Sequence, residues 1–408
     1  MRLGIVQSHS KGRPRRAALL RLAAGLLLLG SAPAAHGQPL PECLFVLSRL
    51  QGAVVAQRLI GGQAAGSIAL PDCPQPQCQP TAMVLDEGRR RAYVARLDAD
   101  TVAVLDLATR TTVTSIAVGD GPSALALTPD GSRLYTANLA SGDVTVIDTT
   151  SLSVVDTIAV GGAPRGVAIA PDGARAYVIN SADDNLSVID LASGDVVDTV
   201  AVGDGPAAVA VSPNGTRVYV TNQRSDSLSV LDLPGSGPVR TITVGDGPRA
   251  IAFAPNGALA LVTNTLAGSV TPIDVAAETA GAAIPVGGSA ASGPVAIVVT
   301  PDGSLAFVAN LSANSVTSIE LPGDAVVERA APGTPFDLGF GTCPSRACVG
   351  DCGGDGVVTV SDMIQGVNIA LGNTPVSTCP PFDPDGNGSV TVSELIAAVN
   401  ALLTGCPA

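Results

Sequence analysis

The chain has 408 residues and no tryptophan, and its two histidines, His9 and His36, and its single lysine, Lys11, all fall within the first 37 positions. Beyond that point there is no imidazole and no side-chain amine. The rest of the chain therefore cannot build a Ser-His or Cys-His nucleophile, a Schiff base, a P-loop, or a His-ligated zinc, copper or haem site. Long apolar runs are missing too. The positive mean hydropathy of +0.39 comes from many short alternating stretches of Ala, Val, Ile and Leu, the pattern that stacked sheets bury.

Those first 37 residues carry Arg2, Lys11, Arg13, Arg15, Arg16 and Arg21, an apolar stretch over 17–30 and a small-residue segment over 32–37. This is the three-part layout of a secretory signal peptide. The apolar stretch is interrupted by Arg21 and falls short of the roughly 18 to 20 residues that span a bilayer, so cleavage near Ala34 or Gly37 is expected. Removing it takes away only cations, and the formal charge moves from −13 to about −19. A mature chain this acidic, with no other membrane-crossing stretch, is not expected to bind nucleic acid or anionic lipid. All eight cysteines (Cys43, Cys73, Cys78, Cys343, Cys348, Cys352, Cys379 and Cys406) survive cleavage, and an even count in an exported chain suggests disulfides.

An internal period organises most of what remains. Pro80, Pro122, Pro164, Pro206, Pro248, Pro294 and Pro335 follow one another at 42, 42, 42, 42, 46 and 41 residues, marking seven units. Tyr93, Tyr135, Tyr177 and Tyr219 keep the same spacing, with Phe45, Leu261 and Phe307 in equivalent slots. Asn138, Asn180, Asn222, Asn264 and Asn310 come three residues after that slot, and Asp106, Asp148, Asp190, Asp232, Asp274 and Glu320 thirteen residues after it. Turn tripeptides such as Pro129-Asp130-Gly131 and Pro213-Asn214-Gly215 separate the first two β runs of a unit, because Asp-Gly and Asn-Gly accept positive φ. A repeated four-stranded meander of this size, without helical period, predicts a propeller blade.

The sequence Tyr219-Val220-Thr221-Asn222, echoed by Tyr177-Val178-Ile179-Asn180 and Phe307-Val308-Ala309-Asn310, resembles the YVTN-type β-propeller repeat family over residues 43–340. The resemblance implies the fold and leaves activity open, since this superfold hosts surface proteins, lactonases and electron-transfer enzymes. Residues 43–70 supply three strands and residues 335–340 one, so pairing them closes a seven-bladed all-β ring within a domain spanning 38–342 and removes two open edges. Aligning the units puts Cys43 and Cys343 on either side of the chain break in that blade, and a disulfide between them is expected; Cys73 and Cys78 form a second candidate pair.

After a linker over 343–349, the composition changes. In the segment 383–394, Asp383, Asp385, Asn387, Ser389, Thr391 and Glu394 stand at positions 1, 3, 5, 7, 9 and 12 of a calcium loop, with Gly388 at the sharp turn. In the segment 351–362, Asp351, Asp355, Val357 (through its carbonyl), Thr359 and Asp362 repeat the scheme, with Gly353 at position 3, so this first site is expected to bind more weakly. Val360, Met363, Ile364, Val367 and Leu371, and then Val392, Leu395, Ile396, Val399 and Leu403, have the spacing of one apolar helix face each, predicted to pack together. Residues 350–406 resemble dockerin and EF-hand modules, and the resemblance implies two calcium ions and a cohesin-like partner.

These features predict an exported, non-catalytic binding or scaffolding protein that meets a protein or an envelope or extracellular partner. Asp120, Asp204 and Asp246, with Asp98, Asp100, Asp143, Asp183, Asp184 and Asp226, fall in loops expected to share one face, an acidic annulus broken near the axis by Arg165 and Arg249. The competing reading makes these aspartates turn formers. A second function hypothesis is a lactonase-type hydrolase using a face carboxylate. The near-identity of the blades, and the Ala, Val and Ile of the first strands, argue against it.

Overall fold

The computed structural model describes residues 43–341 except for 50, 59–63, 72–78, 234–236, 290, 322–324 and 332; beyond these it describes 360–371 and scattered positions from 373 to 399. The expected signal peptide, the linker, Cys343 and most of both calcium loops lie outside the described residues. No described helix is long and apolar enough to cross a membrane.

Seven antiparallel sheets follow one another, and each fills one blade: residues 80–117, 122–159, 164–201, 206–243, 248–285 and 294–330, and a last blade shared by 335–341 and 43–69. In that last blade Pro335–Gly341 is the innermost strand and pairs antiparallel with Cys43–Ser48, placing Gly341 opposite Cys43. Cys43 is fully buried and is disulfide-bonded. The fifth blade departs from the pattern, because its fourth strand is split into Thr279–Ala280 and Ile284–Pro285, both on the same neighbour.

Seven apolar clusters lie one at each seam between blades. The closing blade faces both ways. Phe45 and Leu47 pack towards Met83 and Val94 of the first blade, and Leu44, Val46 and Leu338 towards Phe307 and Val295 of the sixth. The recurring Tyr93, Tyr135, Tyr177 and Tyr219 are all at most 2% exposed, so the aromatic period marks seam packing.

The recurring asparagine is structural. Asn138 Nδ2 donates to Asp143 Oδ1 at 2.6 Å and Thr145 Oγ1 at 2.8 Å, and Asn180, Asn222, Asn264 and Asn310 bond the equivalent side chains, pinning the second strand to the third. The glycine opening the preceding loop, Gly161 for example, lies so close that a Cβ there would stand 2.6 Å from Asn180.

One irregularity recurs in every blade. Each innermost strand starts with a proline, which has no N–H for the ladder, and the register slips directly afterwards. Pro164 pairs with Asn180 and Gly166 with Ile179, which leaves Arg165 as the extra residue of a β-bulge. In the closing blade the slip leaves Phe336 in that role. A bulged residue is turned out of the sheet's alternation, and here it is turned towards the propeller axis.

Near the C-terminus the helix α1, Val360–Ala370, packs with Phe382, Cys379, Leu395 and Ala398 in a small separate cluster. The buried face of α1 shares only Met363, which packs against this cluster, with the predicted stripe. Gly366 and Ile369 are buried, whereas Val360, Ile364, Val367 and Leu371 are exposed. The Phe382 ring lies directly on Gly366, where a Cβ would come within 2.2 Å, and a ring seated on the residue without a side chain rotates the helix away from the apolar stripe. Ile396 and Val399 are exposed as well.

Candidate functional site

The bulged positions form a ring at one mouth of the axis: Thr81, Ser123, Arg165, Ala207, Arg249, Val295 and Phe336. The next tier along the strands is small, Ala82, Ala124, Gly166, Ala208, Ala250 and Ala296, except for Asp337. A third tier of Met83, Leu125, Val167, Val209, Ile251 and Ile297 is apolar. Together they line a funnel of about 840 Å³, into which Arg49 enters from the loop between the strands Cys43–Ser48 and Ala53–Arg58. The small second tier is what leaves the space open.

Three guanidinium groups therefore line the funnel where, among the described residues, one carboxylate does. Arg49 lies over the Phe336 ring at 3.9 Å and Arg249 at 5.3 Å, so the buried aromatic holds both by its π face. Arg49 Nε also donates to the Pro80 carbonyl at 3.2 Å. Burial, and then the repulsion of Arg165 and Arg49, push the Arg249 guanidinium down to about 10 against the opposing pull of Asp337. Burial lowers Arg165 and Arg49 in the same sense. The two hydroxyls of the ring are occupied, since Thr81 Oγ1 donates to the Pro122 carbonyl at 2.7 Å and Ser123 Oγ to that of Pro164 at 3.0 Å. Free hydrogen-bond donors in the ring come from the arginines.

Asp337 retains some surface towards the funnel but sits deep in the protein, and burial raises its carboxyl to about 6. The N–H groups of Met83 and Leu338 donate to its two oxygens at 2.7 and 2.9 Å and, with Arg249, oppose that rise. It thus stitches the closing strand to the first blade.

Of the residues singled out in the sequence, Arg165 and Arg249 reach the axis as expected. Asp100, Asp184 and Asp226 do not form a free annulus: each has φ near 50° and accepts the N–H of Gly121, Gly205 or Gly247 at 2.8 Å, so these three are turn anchors. Asp183 similarly accepts from Gly162 at 2.6 Å. Asp98, Asp120, Asp204 and Asp246 are exposed. Ala, Val and Ile dominate the first strands as read from the sequence, yet Arg49, Arg165, Arg249 and Asp337 bring polar groups to the channel lining. Arg49, Phe336 and Asp337 were missed because they lie in the divided blade; matching Pro335 with Pro164 and Pro248 puts Phe336 level with Arg165 and Arg249 and was the available signal.

Among the metal-ligand candidates, Asp351, Asp355, Val357, Thr359, Asp383, Asp385 and Asn387 lie outside the described residues, and of Asp362 only its helical backbone is described. No cluster of potential ligands occurs among the described residues. Thr391 and Glu394 form a capping box, with Thr391 N–H and Oγ1 donating to Glu394 Oε2 at 2.6 and 2.8 Å and Glu394 N–H to Thr391 Oγ1 at 3.3 Å. Glu394 Oε1 is buried and has no hydrogen-bond partner among the described residues.

The propeller fold is shared with known proteins. Residues 76–202 match the family described as lactonase, 7-bladed beta-propeller, and residues 168–257 that described as YNCE-like beta-propeller. No curated protein matches the sequence significantly. Among solved structures, hydrazine synthase of Kuenenia stuttgartiensis is similar over 73% of this chain and 99% of its own, with TM-score 0.61 and 22% identity. A putative 6-phosphogluconolactonase from Bacteroides uniformis aligns over 74% of this chain and 100% of its own at TM-score 0.59 and 16% identity. Virginiamycin B lyase from Staphylococcus aureus aligns over 67% and 94% at TM-score 0.57 and 12% identity. At these identities the likeness establishes the propeller fold alone.

Proposed function

We propose that the chain is an exported, non-catalytic binding protein that recognises its ligand or partner at the arginine-lined mouth of the propeller, with the C-terminal segment as a calcium-dependent attachment. The observation that carries this reading is the bonding of Asp337. Asp337, the one acid of the funnel among the described residues, already accepts two backbone N–H bonds, and no second carboxylate or imidazole stands beside it in the described lining. Calcium fits Glu394 at position 12: one oxygen is committed to the capping box, and the other is buried and, among the described residues, unpartnered, which a cation would satisfy. Asp383, Asp385, Asn387, Ser389 and Thr391 would complete that loop, while Asp351, Asp355, Val357, Thr359 and Asp362 would form the weaker one. Calorimetric titration of the full chain with calcium tests the attachment half; two steps are expected, the tighter one weakened in Glu394→Gln. Capture of an envelope or cohesin-like protein in calcium and its release by chelator would identify the partner.

The second reading, a lactonase-type hydrolase, is favoured by one property of the same carboxyl, which burial raises to about 6, a value suited to a general base near neutral pH. The matched lactonase family over 76–202 points the same way. Turnover of simple lactones that disappears in Asp337→Asn would establish it and displace the binding reading.

A further inference from the structure

We propose that the axial funnel is a receptor for a small oxyanion, a carboxylate or phosphate group, clasped by Arg49, Arg165 and Arg249 against the Phe336 ring. The inference rests on the binding reading above and names the class of ligand.

Charge is the first argument. Acidic side chains outnumber basic ones by 35 to 22 in this sequence, yet three of the basic ones converge at one opening. Among the described residues none of the three makes an ion pair, Asp98 attracting Arg49 without a salt bridge, although arginines elsewhere in the propeller do find carboxylates. Half-buried guanidiniums that repel one another raise the energy of the empty site, and an anion placed among them removes that penalty. Burial of Arg249 and its repulsion by Arg165 and Arg49 are the physical signs of that penalty.

Geometry is the second argument. Bulges in the third and fifth blades bring Arg165 and Arg249 to the funnel, and the equivalent bulge in the closing blade places the Phe336 ring against Arg49 and Arg249. Guanidinium donors held in a fixed fork suit the paired oxygens of carboxylate or phosphate. With Thr81 and Ser123 committed to backbone carbonyls, a neutral polyol finds few hydroxyl partners in the ring. The alanine tier leaves room for the body of the ligand, and the apolar tier beyond it suits a body with little polarity.

The test is calorimetric titration of the full chain with citrate, with inorganic phosphate and with glucose as a neutral control. Saturable binding of citrate or phosphate with a dissociation constant below about 1 mM is expected, none of glucose, and the stronger of the two anions identifies the carboxylate or phosphate source. Arg165→Gln and Arg249→Gln should each weaken it by about 10- to 100-fold, the loss expected for one charge-assisted contact. Arg249→Lys, which keeps the charge without the fork, should fall between. Thermal melting of each variant separates a lost site from a lost fold, and the Gln variants are expected to melt no lower than the parent. Absence of anion binding, or binding unchanged in both Gln variants, overturns the inference and leaves a recognition face for other partners. Lactone turnover dependent on Asp337 overturns the binding reading itself.

Discussion

Two arginine clusters in this propeller solve the same problem in opposite ways. Arg217 and Arg240, at the seam of the fourth and fifth blades, share Asp232 and Glu278 in five contacts of 2.7 to 3.2 Å. At the axis, Arg49 and Arg249 share the Phe336 ring, Arg165 repels Arg249, and the one acid of the lining among the described residues is Asp337, whose carboxyl is raised by burial. Arg240 holds the Asp232 carboxyl below its ordinary value, while burial lifts that of Asp337. The seam cluster is internally neutralised and serves the ring; the axial cluster is left charged, which is the condition for attracting something from outside.

The pH dependence should distinguish the clusters most strongly. Asp337 has a native pKa of about 6 against an ordinary 3.8, so proton uptake favours the folded state. Its contribution is complete below about 3.8 and is lost as pH rises through about 6, at no more than about 1.4 kcal/mol per pH unit. Asp232, lowered in the native state, contributes above its unfolded value and is lost as pH falls through the native one, the opposite sign. Denaturant titrations from pH 4 to pH 7 should therefore show a component in Asp337's window that is missing from Asp337→Asn. Its persistence in that variant would assign it elsewhere.

Breaking the seam comes next in size. Glu278→Ala leaves Arg217 and Arg240 with Asp232 alone and should destabilise the fold by roughly 1–2 kcal/mol, discounted because the groups are partly in water. A smaller change of opposite sign is expected at the axis. Arg249→Gln removes repulsion from Arg165 and Arg49 but also a cation–π contact, for a net gain of up to about 1 kcal/mol, read from the denaturation midpoint. Equal losses in the two variants would erase the distinction between the clusters.

The ring was legible in the sequence because each period reflects a local requirement met seven times over. Proline spacing gave the innermost strands, the aromatic slot gave the seams, and the divided blade followed from residues 43–70 lacking a first strand. The repeated Asn and Asp proved to be internal pins and turn anchors, uses that spacing alone cannot tell from binding. The funnel was only half legible. Its arginines stand in recognisable repeat slots, but the role of Arg49, Phe336 and Asp337 depends on which strand closes the ring and on a bulge that a count of residues does not reveal. On α1, periodicity found the apolar stripe and assigned it inward, whereas Phe382 seated on Gly366 selects the other face.

The divided blade also sets a calendar for the molecule. Arg49 is made near the start of the domain and Phe336 and Asp337 near its end, and the bond from Met83 to Asp337 joins residues 254 positions apart. Where the chain folds as it emerges, N-terminus first, six blades can take shape while the funnel still lacks one wall, because the strand carrying Phe336 and Asp337 comes last. Any ligand of that funnel can therefore be met only by a finished ring, and once held there it would slow the departure of the last strand to arrive.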